Sequence, residues 1–314
     1  MILSVSRRTD IPALYSDWFM NRIREGYVMT RNPMNYHAVS KISLTPDVVD
    51  CIVFWSKNPK PLFKFLDEIS KEYTFYFQFT LNAYEKDLEP HLPTLEERIS
   101  TFKALSEKYG KERVIWRYDP VMLSDKYTSQ WHINSFRGII DQLSEYTTSC
   151  VFSFVDVYDK VKNNLKNEKV IPFTKASMDE LARGFSQIAS HHSIILKTCA
   201  EELDLSKFGI EHSRCIDPNL ISQLAKCDIS IKKDKNQRNE CGCAESIDIG
   251  QYNTCMHGCK YCYANYSQTS VRKCYEAHFY TSPLLIGDIE NDDKIKERKV
   301  KSLKENQISL FDAK

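Results

Sequence analysis

Glycine is scarce in this 314-residue chain: it has nine, against a usual share of about 7%, and neither GxGxxG nor GxxxxGK[ST] occurs. Those glycines let a backbone approach a pyrophosphate closely, so dinucleotide and Walker-type nucleotide sites lose their basis. An excess of charge of one sign is also lacking, because 43 Lys and Arg offset 42 Asp and Glu for a formal net charge of +1. No global field draws the protein to a polyanion, and nucleic-acid binding would need a local patch. Nowhere do 18 uninterrupted apolar residues occur, and MILSVSRRTDIPALYSDW has no cationic segment followed by a long apolar run. A cytoplasmic protein without a membrane span is expected. Internal repeats and low-complexity tracts are absent too.

Cysteine, in contrast, is plentiful at eleven residues. In a reducing compartment a clustered set reads as metal ligation rather than a disulfide framework. Short β-branched and aromatic runs predict strands at Ile2–Ser6, Cys51–Trp55, Thr74–Leu81, Arg113–Tyr118, Cys150–Val157, Ser193–Cys199 and around Ile210–Cys215. Helical periodicity between them covers Tyr15–Glu25, Lys60–Ser70, Leu95–Tyr109, Trp131–Tyr146 and Ser177–Ser190, with Thr174 or Ser177 capping the last. This alternation argues for an α/β fold of parallel units, a TIM-type barrel, complete or partial, with a cysteine-rich region following it. The expected divisions are residues 1–215 for the barrel, 216–285 for the cysteine-rich cluster-binding region packed on it, and 286–314 for a charged helix or flexible tail.

Polar groups gather at the ends of the predicted strands, where a barrel places its active site. Arg7, Arg8 and Asp10 follow the first strand. Trp55, Lys57 and Asn58 end the second, Thr80 and Asn82 the third, Arg117 and Asp119 the fourth, Asp156 and Tyr158 the fifth. Arg117, Asp119, Asp10 and Tyr158 are candidates for catalysis, and the rest for cofactor binding. A plainer reading makes some of them turn residues, as in Asn58-Pro59 and Asp119-Pro120.

Cys255, Cys259 and Cys262 have the spacing CxxxCxxC. Three thiolates on one loop can hold three irons of a cubane 4Fe-4S cluster and leave the fourth iron open to a non-protein ligand. Structural zinc normally takes four protein ligands, and His257 is the candidate fourth, awkwardly placed inside the loop. GQYNTCMHGCKYCYAN resembles the cluster loop of radical S-adenosylmethionine enzymes, especially the spore photoproduct lyase-like branch. The resemblance implies a 4Fe-4S cluster on these three cysteines, S-adenosylmethionine on the open iron, Tyr261 near its adenine, and an electron donor such as flavodoxin or ferredoxin. Through SVSRRTDIPA, VFWSKNP, FTLNAYEKDLEP, WRYDPVML and the paired CGC, the chain also resembles the uncharacterised family DUF1848 over nearly its full length. Two departures from the radical enzymes stand out: the loop lies late in the chain, with Ile247–Gly250 as the strand that would feed it, and no GGE-like motif is present.

Cys199, Cys215, Cys241 and Cys243 are candidates for a second site, an auxiliary 4Fe-4S cluster or zinc, the alternative being small core hydrophobes. Cys51 and Cys150 read as core. Gln307–Phe311, QISLF, resembles the peptide by which DNA-processing proteins dock on the sliding clamp. The leading expectation is therefore a radical enzyme abstracting hydrogen from an organic substrate, DNA or a nucleobase among the candidates. Arg7, Arg8, Lys57 and Arg117 would bind its anionic groups. The alternatives are a non-catalytic iron-sulfur or zinc protein, acting as redox sensor or clamp-associated adaptor, and a zinc-stabilised hydrolase.

Overall fold

The runs of branched and aromatic residues become strands in the computed structural model, which describes residues 1–157 and 159–305, and for residues 159, 160 and 163 the backbone alone. In chain order the strands are β1 (Ile2–Val5), β2 (Tyr27–Asn32), β3 (Asn35–Ser43), β4 (Cys51–Ser56), β5 (Phe75–Thr80), β6 (Val114–Val121), β7 (Ser149–Phe154), β8 (Ile195–Thr198), β9 (Glu211–His212), β10 (Ile247–Asp248) and β11 (Lys294–Glu297). Eight of them form a sheet in the order β10-β1-β4-β5-β6-β7-β8-β9. Every neighbouring pair in it is parallel. The outer strands β9 and β10 are not hydrogen-bonded to each other. The fold is thus α/β, with a parallel central sheet flanked by helices, and the seven strands expected from the sequence are β1 and β4 to β9.

Both faces of this sheet are buried, which is why its strands read as nearly continuous apolar runs. Side chains alternate between the faces with the strand period of two. Leu3, Val5, Ile52, Phe54, Phe75, Phe77, Phe79, Trp116 and Phe152 face the helices and share one core with Trp18, Phe19, Leu66, Phe102, Phe136 and Phe185. Ile2, Cys51, Val53, Tyr76, Ile115 and Val151 face the other way and pack with Cys215, Ile216, Cys241 and Cys243. Phe54 and Phe77 stack at 4.8 Å between centroids. Truncating either to alanine would cost about 3–5 kcal/mol.

The helices start where capping chemistry allows. Thr94 and Glu97 form a reciprocal capping box at the head of Leu95–Tyr109, satisfying two otherwise orphaned N–H groups. Thr174 and Ser177 do the same for Lys175–His191.

Two regions differ from expectation. β2 and β3 form an antiparallel hairpin whose strand Asn35–Ser43 begins with three exposed residues, so no hydrophobic alternation marks its start. Lys294–Glu297, expected as helix or tail, is strand β11, paired in parallel with Ala38–Lys41 of β3. All four of its residues are exposed; edge pairing satisfies backbone groups and needs no buried side chains. The strand expected to feed the cysteine loop is present as β10, with Leu3 opposite Ile247 and Ser4 opposite Asp248. The sheet therefore crosses the expected division at residue 215. Among the described residues no helix is long and apolar enough to cross a membrane.

Candidate functional site

Parallel strands bring all their carboxyl ends to one edge, and there the chain encloses a cavity of about 330 Å³, within the range of small-molecule sites. Arg7, Arg8, Asp10, Trp55, Lys57, Thr80, Arg117, Asp119 and Asp156 line it, as do Tyr261 and all seven cysteines expected at the metal sites.

The exit of β1 is pinned to β10 by Asp248. Its carboxylate accepts from Ser4 Oγ at 2.8 Å, Ser6 Oγ at 2.7 Å, the Arg7 N–H at 2.8 Å and the Gly250 N–H at 3.0 Å. Approach here is close enough that a Cβ on Gly250 would lie 1.9 Å from Ser6 Oγ, so glycine is required at that position.

Asp10 has no lone pair to spare for a substrate. It accepts from Ser56 Oγ at 2.7 Å, the Ala13 N–H at 3.0 Å, the Lys57 N–H at 2.8 Å and His257 Nε2 at 2.8 Å. Burial alone would raise the Asp10 carboxyl, yet these partners, His257 foremost, hold it below its ordinary value. Asp10, a candidate for catalysis from its place after β1, ties that strand's exit to the cysteine loop through His257.

Lys57 is likewise engaged. Its Nζ donates to Glu89 Oε1 at 2.8 Å and to the Tyr261 hydroxyl at 2.9 Å, and that hydroxyl donates to Glu89 Oε1. Arg98 approaches Glu89 Oε2 at 3.5 Å from the other side. Tyr261, implied by resemblance to lie near an adenine, spends its hydroxyl on this network, and its ring packs 5.7 Å from Tyr84.

Arg117 donates through Nε and Nη2 to Asp119 Oδ2 at 3.0 and 2.5 Å, and through Nη1 to Cys215 Sγ at 2.9 Å. Burial opposes its charge, but Cys215 and Asp119 beside it hold the guanidinium cationic, its pKa raised well above the ordinary value. Ser153 Oγ donates to Asp119 Oδ1. The Trp55 ring lies 5.3 Å from the Arg7 guanidinium and 5.4 Å from that of Arg117, within cation–π range of both. At the rim, Asp156 pairs with Arg238 at 2.6 Å.

Two expected residues miss the cavity. Asn82 faces the backbone of Asp119, donating to its carbonyl at 3.0 Å and accepting from its N–H at 2.9 Å, so it positions that carboxylate from behind. Asn58 serves the turn after β4, its N–H on Ser56 Oγ at 3.0 Å. Tyr158 and Gln307–Phe311 lie outside the described residues.

Cys255, Cys259 and Cys262 form part of the cavity wall and are free thiols, each pushed upward in pKa by burial. Their loop turns at Gly258, whose φ of +71 falls in the left-handed region that glycine adopts without strain. Asn265 Nδ2 bonds the Cys255 carbonyl at 2.5 Å, the His257 carbonyl accepts from the His91 N–H at 3.3 Å, and Lys260 N–H reaches the Leu88 carbonyl at 3.0 Å. In the same lining, Cys199 Sγ lies 3.3 Å from Cys215 Sγ, and the Ile216 N–H approaches Cys243 Sγ at 3.5 Å. Among the described residues no three His, Cys, Asp or Glu side chains already converge as ligands of a single metal ion.

Glu89 and Asp248 went unseen in the sequence, because neither ends an expected strand with a polar cluster. Only the fold brings Glu89 to Lys57, 32 positions away, and Asp248 to Ser6, 242 positions away.

Comparison with known proteins adds little chemistry. A family model described as "Domain of unknown function (DUF1848)" matches residues 2–264. No curated protein matches. One solved structure, a "putative alpha-L-fucosidase" from Bacteroides thetaiotaomicron, aligns at 12% identity and a TM-score of 0.26 over 57% of this chain and 81% of that one.

Proposed function

The chain belongs to the DUF1848 family, and from that premise we propose that it is an iron-sulfur enzyme of radical S-adenosylmethionine type. The observation that carries the proposal is the placement of Cys255, Cys259 and Cys262 on the wall of one cavity with Arg7, Lys57 and Arg117. Three soft donors on a single loop suit a 4Fe-4S cubane. Its thiolates attach to different irons and stand farther apart than the ligands of one ion, so the lack of a ready single-ion site is no obstacle. His257, which could have closed such a site as fourth ligand, has Nε2 bound to Asp10 at 2.8 Å. Held by these cysteines, such a cluster would supply the one electron needed to split S-adenosylmethionine into methionine and a 5'-deoxyadenosyl radical able to take a substrate hydrogen.

The chain's own residues then have separable tasks. Asp10 and Glu89 hold the loop, the first through His257 and the second through Tyr261 and Lys57. Arg7 and Arg8 present cationic groups to the cavity for a carboxylate or phosphate, and Arg117 orients Asp119 toward it. Trp55 and Phe154 supply apolar wall to the cavity. The architecture proposed for this site is a partial barrel: the gap between β9 and β10 is spanned where Ala244 N–H bonds the Ile216 carbonyl at 3.1 Å. Tyr76 and Gln78 of β5 reach across to the Cys215 carbonyl at 2.7 and 2.9 Å. An electron donor of flavodoxin or ferredoxin type, and a sliding clamp bound through Gln307–Phe311, are the proposed partners.

The test is anaerobic reconstitution of the full chain and of a Cys255→Ala, Cys259→Ala, Cys262→Ala variant. About four irons and four sulfides at this site, lost in the variant, and reductive cleavage of S-adenosylmethionine to 5'-deoxyadenosine are expected. A cluster that yields no 5'-deoxyadenosine leaves the non-catalytic reading standing, and zinc without iron sinks both iron readings.

A further inference from the structure

Apart from the cysteine loop, the same cavity is lined by Cys199, Cys215, Cys241 and Cys243. They come from three separate stretches of chain: the exits of β8 and β9 and the turn that leads into β10. The sulfurs of Cys199 and Cys215 stand 3.3 Å apart, and Cys241 and Cys243 pack in one buried cluster with Cys215. Small core hydrophobes would explain their burial but not their surroundings. Arg117 Nη1 donates to Cys215 Sγ at 2.9 Å, and the Ile216 N–H approaches Cys243 Sγ at 3.5 Å. The Arg7 guanidinium faces Cys243, Cys215 and Cys241, and its Nη2 is buried without a hydrogen-bond partner. A neutral thiol is a weak acceptor, so four of them would add little to the counter-charge that Asp248 gives Arg7 and Asp119 gives Arg117. Thiolates bound to a metal reverse this, because N–H···S bonds to the ligating sulfurs are the usual outer support of such centres.

From this arrangement we infer that Cys199, Cys215, Cys241 and Cys243 form a second metal site, a tetrathiolate centre with Arg7 and Arg117 as its counter-charges. The ligand class is a thiophilic metal centre of net double negative charge, which both a zinc ion and a cubane iron-sulfur cluster become when held by four thiolates; no three of these thiols converge on one ion as they stand, so the side chains must rearrange as either binds. Each thiol gives its proton to solvent as the metal binds. The inference does not depend on radical chemistry at the cysteine loop.

The experiment removes the first site and asks what remains. Full-length Cys255→Ala, Cys259→Ala, Cys262→Ala protein is purified without oxygen, and zinc, iron and sulfide are counted. About one zinc per chain, or about four irons with four sulfides, is expected, the two results distinguishing the sources. Adding Cys215→Ser and Cys243→Ser to that background should abolish it. In case that variant fails to fold, iodoacetamide labelling of the native protein gives a second readout: the four thiols should stay protected until a chelator strips the metal. Metal-free protein whose four thiols alkylate without chelator, or a Cys199–Cys215 disulfide in the anaerobic preparation, would overturn the inference. Failure of S-adenosylmethionine cleavage would leave it untouched.

Discussion

Glu89 offers the sharpest quantitative test of how the cysteine loop is held. Its side chain is 1% exposed and is the shared counter-charge of Lys57, at 2.8 Å, and Arg98, at 3.5 Å and 2% exposed. Replacing it by glutamine keeps the shape and one acceptor but strands two buried cations. Breaking a buried pair by removing one partner typically costs about 3–5 kcal/mol. At roughly 2 °C per kcal/mol for a chain of this size, the melting temperature should fall by roughly 6–10 °C. Tyr261→Phe removes the hydrogen bond to Glu89 and the one accepted from Lys57 but leaves the Lys57–Glu89 pair in place, so about 1.5–3 kcal/mol is expected. Lys57→Met added to Glu89→Gln removes one of the stranded charges and should return part of the loss. Urea unfolding of the wild type, both single variants and the double variant measures all four values under one set of conditions. Should Glu89→Gln unfold within about 1 kcal/mol of wild type, or Tyr261→Phe cost as much as Glu89→Gln, the charge argument fails.

Three further expectations follow from other parts of the site and core. His257→Asn should leave iron and sulfide content near wild type while shortening the life of the cluster in air, because the histidine anchors the loop through Asp10; loss of iron altogether would make His257 a ligand after all. His132 is fully buried, with Nε2 donating to the Met122 carbonyl and Nδ1 accepting from the Tyr118 hydroxyl, both at 2.9 Å, and burial lowers its pKa from 6.5 to about 4. The unfolded chain takes up this proton first, so the contribution is present above 6.5 and is lost as pH falls from there through about 4. It amounts to on the order of 3 kcal/mol, and stability measured against pH should be flatter in that window for His132→Gln; parallel curves would refute the assignment. Gly250→Ala brings a Cβ to 1.9 Å from Ser6 Oγ and 2.6 Å from Ser6 Cβ. A loss of about 1–3 kcal/mol is expected, and a melting curve unchanged by Gly250→Ala would contradict the close approach.

Most of the central-sheet strands and the longer helices are legible in the local sequence. Runs such as CIVFWS and FYFQFT announce buried parallel strands because both of their faces must be apolar. Thr94 and Thr174 mark helix starts because a capping hydroxyl acts within three residues. CMHGCKYC can be read as a candidate ligand loop because three cysteines on one loop need no long-range partner to be recognised. Tertiary structure decided what each polar group does. Asp10 looked like a free carboxylate until the fold set it against His257, and Lys57 looked like an anion binder until Glu89 met it. Asn82 passed from the cavity to the backbone behind it. The hairpin of β2 and β3 and the charged strand β11 escaped notice for the same reason: their pairing is made by backbone groups, which every sequence carries alike. Local rules fix what can be read within a few residues; the counter-charge of a buried cation is chosen across the whole chain, and only the packed molecule says which residue it is.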